Sequence, residues 1–247
     1  MIDTHFHLPD NLNDFDNIIK NAMDNGVKYF ILGGCDINNN KNNILYGKNN
    51  MFFTLGYHPD MAGVFTDSDL ELLEEQIKEY KPVAIGEIGL DYHYSKDNRS
   101  AQIDLFERQL NLASKYNLPV VIHSRDATLD TMNTLKKYKV KGVIHCFSGS
   151  IETALEYIKM GYYLGIGGVV TFKNSNLKDV IKEIGLSNIV LETDSPYLSP
   201  IRGETNYPKN IKIICDFIAE LLNVSSGEVA CITTNNAIKL FDLNIKS

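Results

Sequence analysis

The stretch Met1-Ile2-Asp3-Thr4-His5-Phe6-His7-Leu8 decides how the rest of the chain is read. It predicts a first β-strand, Ile2–His5, and a strand turns successive side chains to opposite faces. His5 and His7 then point the same way, one pleat apart. Two imidazoles on one rigid face are half of a metal site; alone, they are equally a polar start to a strand. The pair also separates two folds. An open, doubly wound sheet usually carries a Gly-rich phosphate turn after its first strand, and here His-x-His stands in that place.

Beyond this stretch one rhythm repeats: short apolar strand, turn, amphipathic helix. Strands are expected at Ile2–His5, Lys28–Gly33, Met51–Gly56, Val83–Gly86, Val120–His123, Val143–His145, Tyr163–Ile166 and Ile189–Glu192. Most are continuous apolar runs, as befits strands covered on both faces. Between them, Ser68-Asp69-Leu70-Glu71 fits a capping box, and Leu70, Leu73, Ile77 and Tyr80 form one apolar face. Ile103, Phe106, Leu110 and Ala113 mark a longer helix that stops before Leu118-Pro119. Ser150 caps a helix through Ala154 and Ile158, ended by Gly161. Two helices follow the last strand, one through Ile211, Ile214, Ile218 and Leu221, the other capped by Ser225 with Glu228. The connection Asp36–Lys48 reads as a poorly amphipathic helix, while its Asn-rich run Asn38–Asn43 by itself reads as a solvated loop. Eight strand–helix units without a composition break predict an α/β fold: a single-domain (β/α)8 TIM barrel over residues 1–247, with right-handed crossovers.

Composition agrees. The 247 residues match the roughly 250 of such a barrel, and 44% hydrophobic with 22% charged residues is ordinary for a soluble globular protein. No apolar run approaches the roughly 20 residues of a membrane span, and no basic region precedes Ile2 as in a signal peptide. Cys35, Cys146, Cys215 and Cys231 form no CxxC pair and read as reduced thiols of a cytoplasmic protein. Neither a membrane nor an obligate protein partner is expected. The net charge of −7 excludes a protein that coats nucleic acid non-specifically. It leaves room for an enzyme that holds phosphate with metal ions and a few local cations.

In a barrel, active-site groups sit at the C-terminal ends of strands. The six histidines sort that way: His5 and His7 after strand one, His58 after three, His93 after four, His123 and His145 at the ends of five and six. Glu87 ends strand four, and Glu192 and Asp194 end strand eight. A carboxylate ending an apolar strand must be paired, hydrogen-bonded or bound to a metal. For any one of these acids a salt bridge is explanation enough; their convergence with four strand-end histidines is not explained that way. Cys146 adjoins His145, but strand neighbours face opposite ways, so it is not counted as a co-ligand. His5, His7, Glu87, His123, His145 and Asp194 are then six candidate ligands, too many for one open zinc site. They suit two divalent ions about 3.5–4 Å apart sharing a carboxylate, for which Glu87 is the candidate. Arg125, Lys173 and Arg202 follow strands five, seven and eight. Each alone reads as a solvated charge; together they would bind an anionic substrate, arginine by bidentate contact.

The motifs Asp3-Thr4-His5-Phe6-His7, Gly56-Tyr57-His58-Pro59, Gly86-Glu87-Ile88-Gly89-Leu90-Asp91-Tyr92, His123-Ser124-Arg125-Asp126-Ala127, His145-Cys146-Phe147-Ser148-Gly149 and Glu192-Thr193-Asp194-Ser195-Pro196-Tyr197-Leu198 resemble the TatD family of metal-dependent deoxyribonucleases, within the amidohydrolase-like barrels. The resemblance runs through Arg202-Gly203, Asn206 and Pro208 to Thr233-Thr234-Asn235-Asn236-Ala237. It implies that His5, His7, Glu87, His123, His145 and Asp194 hold the metals, that His58 contacts the scissile phosphate, and that Glu192 is an acid beside the metals. The family often has a second histidine after His-Pro where this chain has Asp60, and His93 falls at a variable position.

The expected activity is phosphodiester hydrolysis of DNA, as an exonuclease on single-stranded or frayed ends, by a water activated between two divalent ions (Mg²⁺, Mn²⁺ or Zn²⁺). Asp194 would orient that water or accept its proton, and His58, Arg125 and Lys173 would stabilise charge on the phosphate. The same centre would also serve a hydrolase acting at carbon, on an ester, amide or aminoacyl-tRNA. Many related barrels of that kind bridge their metals with a modified lysine after strand four, where this chain has Glu87. A scaffold without catalysis would not need the complete ligand set.

Overall fold

The structure, a computed structural model, describes residues 1–9, 11–93 and 97–245. Its strands are β1 (Ile2–Phe6), β2 (Tyr29–Leu32), β3 (Met51–Leu55), β4 (Ala84–Asp91), β5 (Val120–Arg125), β6 (Gly142–Ile144), β7 (Tyr162–Ile166) and β8 (Ile189–Leu191). The helices among the described residues are α1 (Phe15–Asp24), α2 (Ile37–Tyr46), α3 (Asp67–Tyr80), α4 (Arg99–Tyr116), α5 (Thr128–Leu135), α6 (Ile151–Lys159), α7 (Leu177–Ile184), α8 (Ile211–Leu222) and α9 (Ser226–Phe241). The strands follow chain order in one eight-stranded sheet, the topology of a (β/α)8 barrel. No described helix is long and apolar enough to cross a membrane.

The chain forms two compact units. The first comprises Met1–Leu32 and Cys146–Ser247. In it β1 pairs with β2 and β7 with β8, both in parallel, around a core that includes Phe6, Phe30, Leu164, Ile166 and Val190. The second, Gly33–His145, holds the parallel pairs β3–β4, β4–β5 and β5–β6, with Leu55, Ile85, Ile88, Val121 and Phe106 buried. Covering helices bury the opposite faces of these strands, which is why the strands read as unbroken apolar runs.

Three local expectations are corrected. Helix α3 is capped two residues earlier than Ser68: Thr66 is its N-cap, its hydroxyl accepting from the Asp69 amide while the Asp69 carboxylate accepts from the Thr66 amide at 2.8 Å. The reciprocal box is real, with aspartate in the place given to Glu71. The connection Asp36–Lys48 holds the expected helix, α2, and the run Asn38–Asn43, read as a solvated loop, lies inside it; the Asp36 side chain starts the helix, accepting from the Asn39 amide at 2.8 Å. Its inner face is polar: Asn40 and Asn43 are buried, and the Asn40 amide group donates to the Gly56 carbonyl and accepts from the Gly56 amide. Apolar periodicity gives only a faint signal of a helix held by asparagine. Finally, β4 runs on to Asp91 instead of ending at Gly86, because Ile88 and Leu90 continue the buried face. Its register against β5 shifts between Ile85 and Ile88, so Glu87 sits in an irregular stretch inside the strand, not at its end.

Candidate metal centre

In the first unit, β1 delivers His5 at its end and His7 just beyond it. The two Nε2 atoms are 3.2 Å apart, and Asp194 Oδ1 lies 3.4 Å from His7 Nε2 and 3.9 Å from His5 Nε2. Asp194 reaches this position from a left-handed backbone conformation (φ 56°), tolerated by aspartate more readily than by most residues. Its amide donates to the His5 carbonyl at 2.9 Å. Asp3 ties the same two strand ends: its carboxylate, fully buried, accepts from the Thr193 amide at 2.9 Å and the Thr193 hydroxyl at 2.6 Å. Burial pushes the Asp3 carboxyl well above the usual range, with the Thr193 hydrogen bonds countering part of that rise.

The same unit holds Glu192 and Cys146. Glu192 is fully buried, and its carboxylate accepts from the Cys146 amide at 2.5 Å. The Cys146 thiol lies 3.6 Å from Asp194 Oδ2, so it faces a candidate ligand after all. Strand alternation does not apply to it: β6 ends at Ile144, and Cys146 has a left-handed φ of 44°.

In the second unit Glu87 is the hub. Its Oε1 is 2.6 Å from His123 Nδ1, 3.8 Å from His145 Nε2 and 3.9 Å from His58 Nε2. Gly89 (φ +144°) lets β4 and β5 approach here, since a Cβ on it would lie 2.0 Å from the His123 carbonyl oxygen. Two acids not expected to matter complete the set. Asp91 Oδ2 is 3.1 Å from His123 Nε2, and Asp60 Oδ2 is 3.1 Å from His58 Nδ1. Burial opposes the charge on His123, but its hydrogen bonds to Asp91 and Glu87 outweigh that and raise its pKa to about 9. The His58 hydrogen bond holds the Asp60 carboxyl below its usual value. Asp60 therefore orients the His58 ring at the position where the family often has a histidine. Asp91 was legible in principle: Glu87, Gly89 and Asp91 share one face of a strand once β4 is read through to its end.

Arg125 is the last residue of β5; Lys173 follows β7 and Arg202 follows β8; all three are exposed. His93 is exposed, its Nδ1 3.0 Å from Asp126 Oδ2.

The His5–His7–Asp194 set fits a divalent ion. Ligand distances of about 2.0–2.2 Å in a tetrahedral site put donors about 3.3 Å apart, and the His5–His7–Asp194 separations of 3.2–3.9 Å bracket that value. Two imidazole nitrogens facing each other over a carboxylate have only one proton between them to share unless a cation intervenes. In the second unit the donors that lie together are those of His58, Asp91 and His123, again imidazole with carboxylate, suited to zinc or manganese, while Glu87 Oε1 is in direct hydrogen bond with His123 Nδ1 at 2.6 Å.

The comparisons agree with this chemistry. Residues 2–242 match the TatD-related DNase family. The metal-dependent hydrolase YabD of Bacillus subtilis is 39% identical over 254 residues, covering 99% of this chain and 100% of that protein. The crystal structure of YjjV, a TatD homologue from Escherichia coli, superposes with a TM-score of 0.92 at 32% identity, covering 98% of each chain. A TatD family hydrolase from Entamoeba histolytica shares the fold, with a TM-score of 0.88 at 24% identity over 97% of each chain. Matched over nearly its whole length, this chain belongs to the TatD family of metal-dependent hydrolases.

Proposed function

We propose that this hydrolase is a deoxyribonuclease that cleaves phosphodiester bonds at single-stranded or frayed DNA ends, using two divalent ions. The observation that carries the reading is the His5–His7–Asp194 triangle, whose separations suit one ion. Glu87, His123 and His145 would hold the second. Such ions polarise a phosphoryl oxygen and lower the pKa of water. Asp194 orients the attacking water and takes its proton. His58, held by Asp60, donates from Nε2 to the phosphate. Arg125, Lys173 and Arg202 supply the cationic rim that the net charge of −7 lacks. Glu192, on the Cys146 amide, positions the loop against Asp194. A cytoplasmic location agrees with four cysteines that form no disulfide.

The test is a panel of single-stranded and duplex DNA, RNA and simple esters under Mg²⁺, Mn²⁺ and Zn²⁺, with Glu87→Ala as the blank. Single-stranded DNA is expected to be cleaved fastest, and Asp194→Asn to lose about 10²–10⁴-fold in kcat with its melting temperature retained. Cleavage of esters alone would favour a hydrolase acting at carbon. Fewer than one ion per chain after metal is added back would refute the two-ion reading.

A further inference from the structure

A cavity of about 300 Å³ opens beside His7, within the first unit, between the start of α1 and the segment 195–208. Its lining is mainly apolar and partly aromatic: Phe6, Phe15 and Ile18 on one side, the ring of Tyr207 on another, with Asp14 the charged group among its lining residues. Phe6 and Phe15 are buried, whereas Tyr207 keeps 39% of its surface exposed. The Lys209 ammonium lies 5.9 Å from the Tyr207 ring, so positive charge stands at this aromatic wall of an otherwise acidic protein.

We propose that this cavity receives the base of the terminal nucleotide while the adjoining phosphate lies toward His7. The proposal rests on the nuclease reading above and deepens it. The volume is at the lower limit of ligand pockets, with room for the ring system of a base. Aromatic walls bind any base by stacking. Asp14 can accept from an exocyclic amine, and Lys209 meets the phosphate charge. A base can lay its face against this lining only once it has left its own stack and pair, so the cavity favours single-stranded or frayed ends, without a motif that melts a duplex.

The experiment compares two oligonucleotides that differ in one respect, a normal or an abasic nucleotide at the end that is cleaved. Removing the base should raise KM by about 5- to 150-fold, the range of one stacked base, with kcat less affected. Tyr207→Ala should bring the kcat/KM ratio of the two substrates toward one. Equal turnover of both substrates by the unmodified protein would overturn the pocket and leave the nuclease reading standing. If no oligonucleotide is cleaved, the nuclease reading fails, and calorimetry with 2′-deoxyadenosine, which has no phosphate for a metal to hold, decides the pocket separately. Binding weakened by Tyr207→Ala supports it; no binding overturns it.

Discussion

Adding one methyl group at Gly165 tests how tightly the chain is built around Glu192. Gly165 lies in β7 beside β8, and a Cβ there would stand 2.3 Å from Glu192 Oε2, 2.6 Å from its Cδ and 2.8 Å from Oε1. Ordinary contact begins near 3.4 Å, so the carboxylate must retreat about 1 Å (3.4 less 2.3 Å). It is fully buried, and that movement gives up the 2.5 Å hydrogen bond from the Cys146 amide. Loss of a charge-assisted bond costs about 1.5–3 kcal/mol, and overpacking a filled core about 1–3 kcal/mol. Gly165→Ala should therefore destabilise by about 3 kcal/mol or more. For a chain of this size that lowers Tm by roughly 6–12 °C. Differential scanning calorimetry measures it. The decisive comparison is a double-mutant cycle with Glu192→Asp, whose shorter side chain withdraws the carboxylate from the added methyl. In that background Gly165→Ala should cost at least about 1 kcal/mol less. Strictly additive costs, or a Gly165→Ala protein that melts with the parent, would refute the steric reasoning.

Further outcomes follow from other contacts. Asn40→Ala leaves both the amide and the carbonyl of Gly56 without the partner they have now, which should cost about 2–4 kcal/mol by thermal melting; a loss below 0.5 kcal/mol, on the order of a surface change, would contradict the role given to α2. His123, raised to about 9 from a usual 6.5, stabilises the metal-free protein fully below pH 6.5, and that contribution disappears as pH rises through 9. A metal must displace its proton, so affinity for any ion that takes His123 as a ligand should rise up to about tenfold per pH unit between those values; chelator competition at three pH values checks it, and a flat profile counts against it. Glu74 joins Lys115, Tyr116 and Lys78, which hold its carboxyl at about 2 against a usual 4.5. Its stabilisation is present above pH 4.5 and fades as pH falls toward 2. Glu74→Gln, at a partly exposed site, should cost about 1 kcal/mol or less at neutral pH, a difference from the parent that narrows on acidification.

How much of this was legible in the sequence depends on what kind of signal each element carries. Continuous apolar runs located all eight strands to within a few residues at most ends, because burial on both faces leaves no other pattern available. β4 was cut short because Glu87 and two glycines interrupt its run, although Ile88, Leu90 and the small residues between them are what let it pack on toward Asp91. Helix α2 left only a faint signal for the opposite reason. Its inner face satisfies backbone groups at Gly56 instead of burying carbon, and hydrophobic periodicity has no sensitivity to that.

The candidate site shows the same division between what a motif displays and what holds it. Histidines at strand ends announce themselves, since a strand tip is where a barrel keeps its chemistry. The acids behind them do not, because Asp3, Asp60 and Asp91 act through Thr193, His58 and His123, and a partner fixed in space leaves no spacing to read. These acids also change the meaning of the chain's net charge. Part of the −7 lies on the buried Asp91 carboxylate, which steadies an imidazole instead of facing solvent. Such acids keep their rings oriented for a cation and raise ligand basicity.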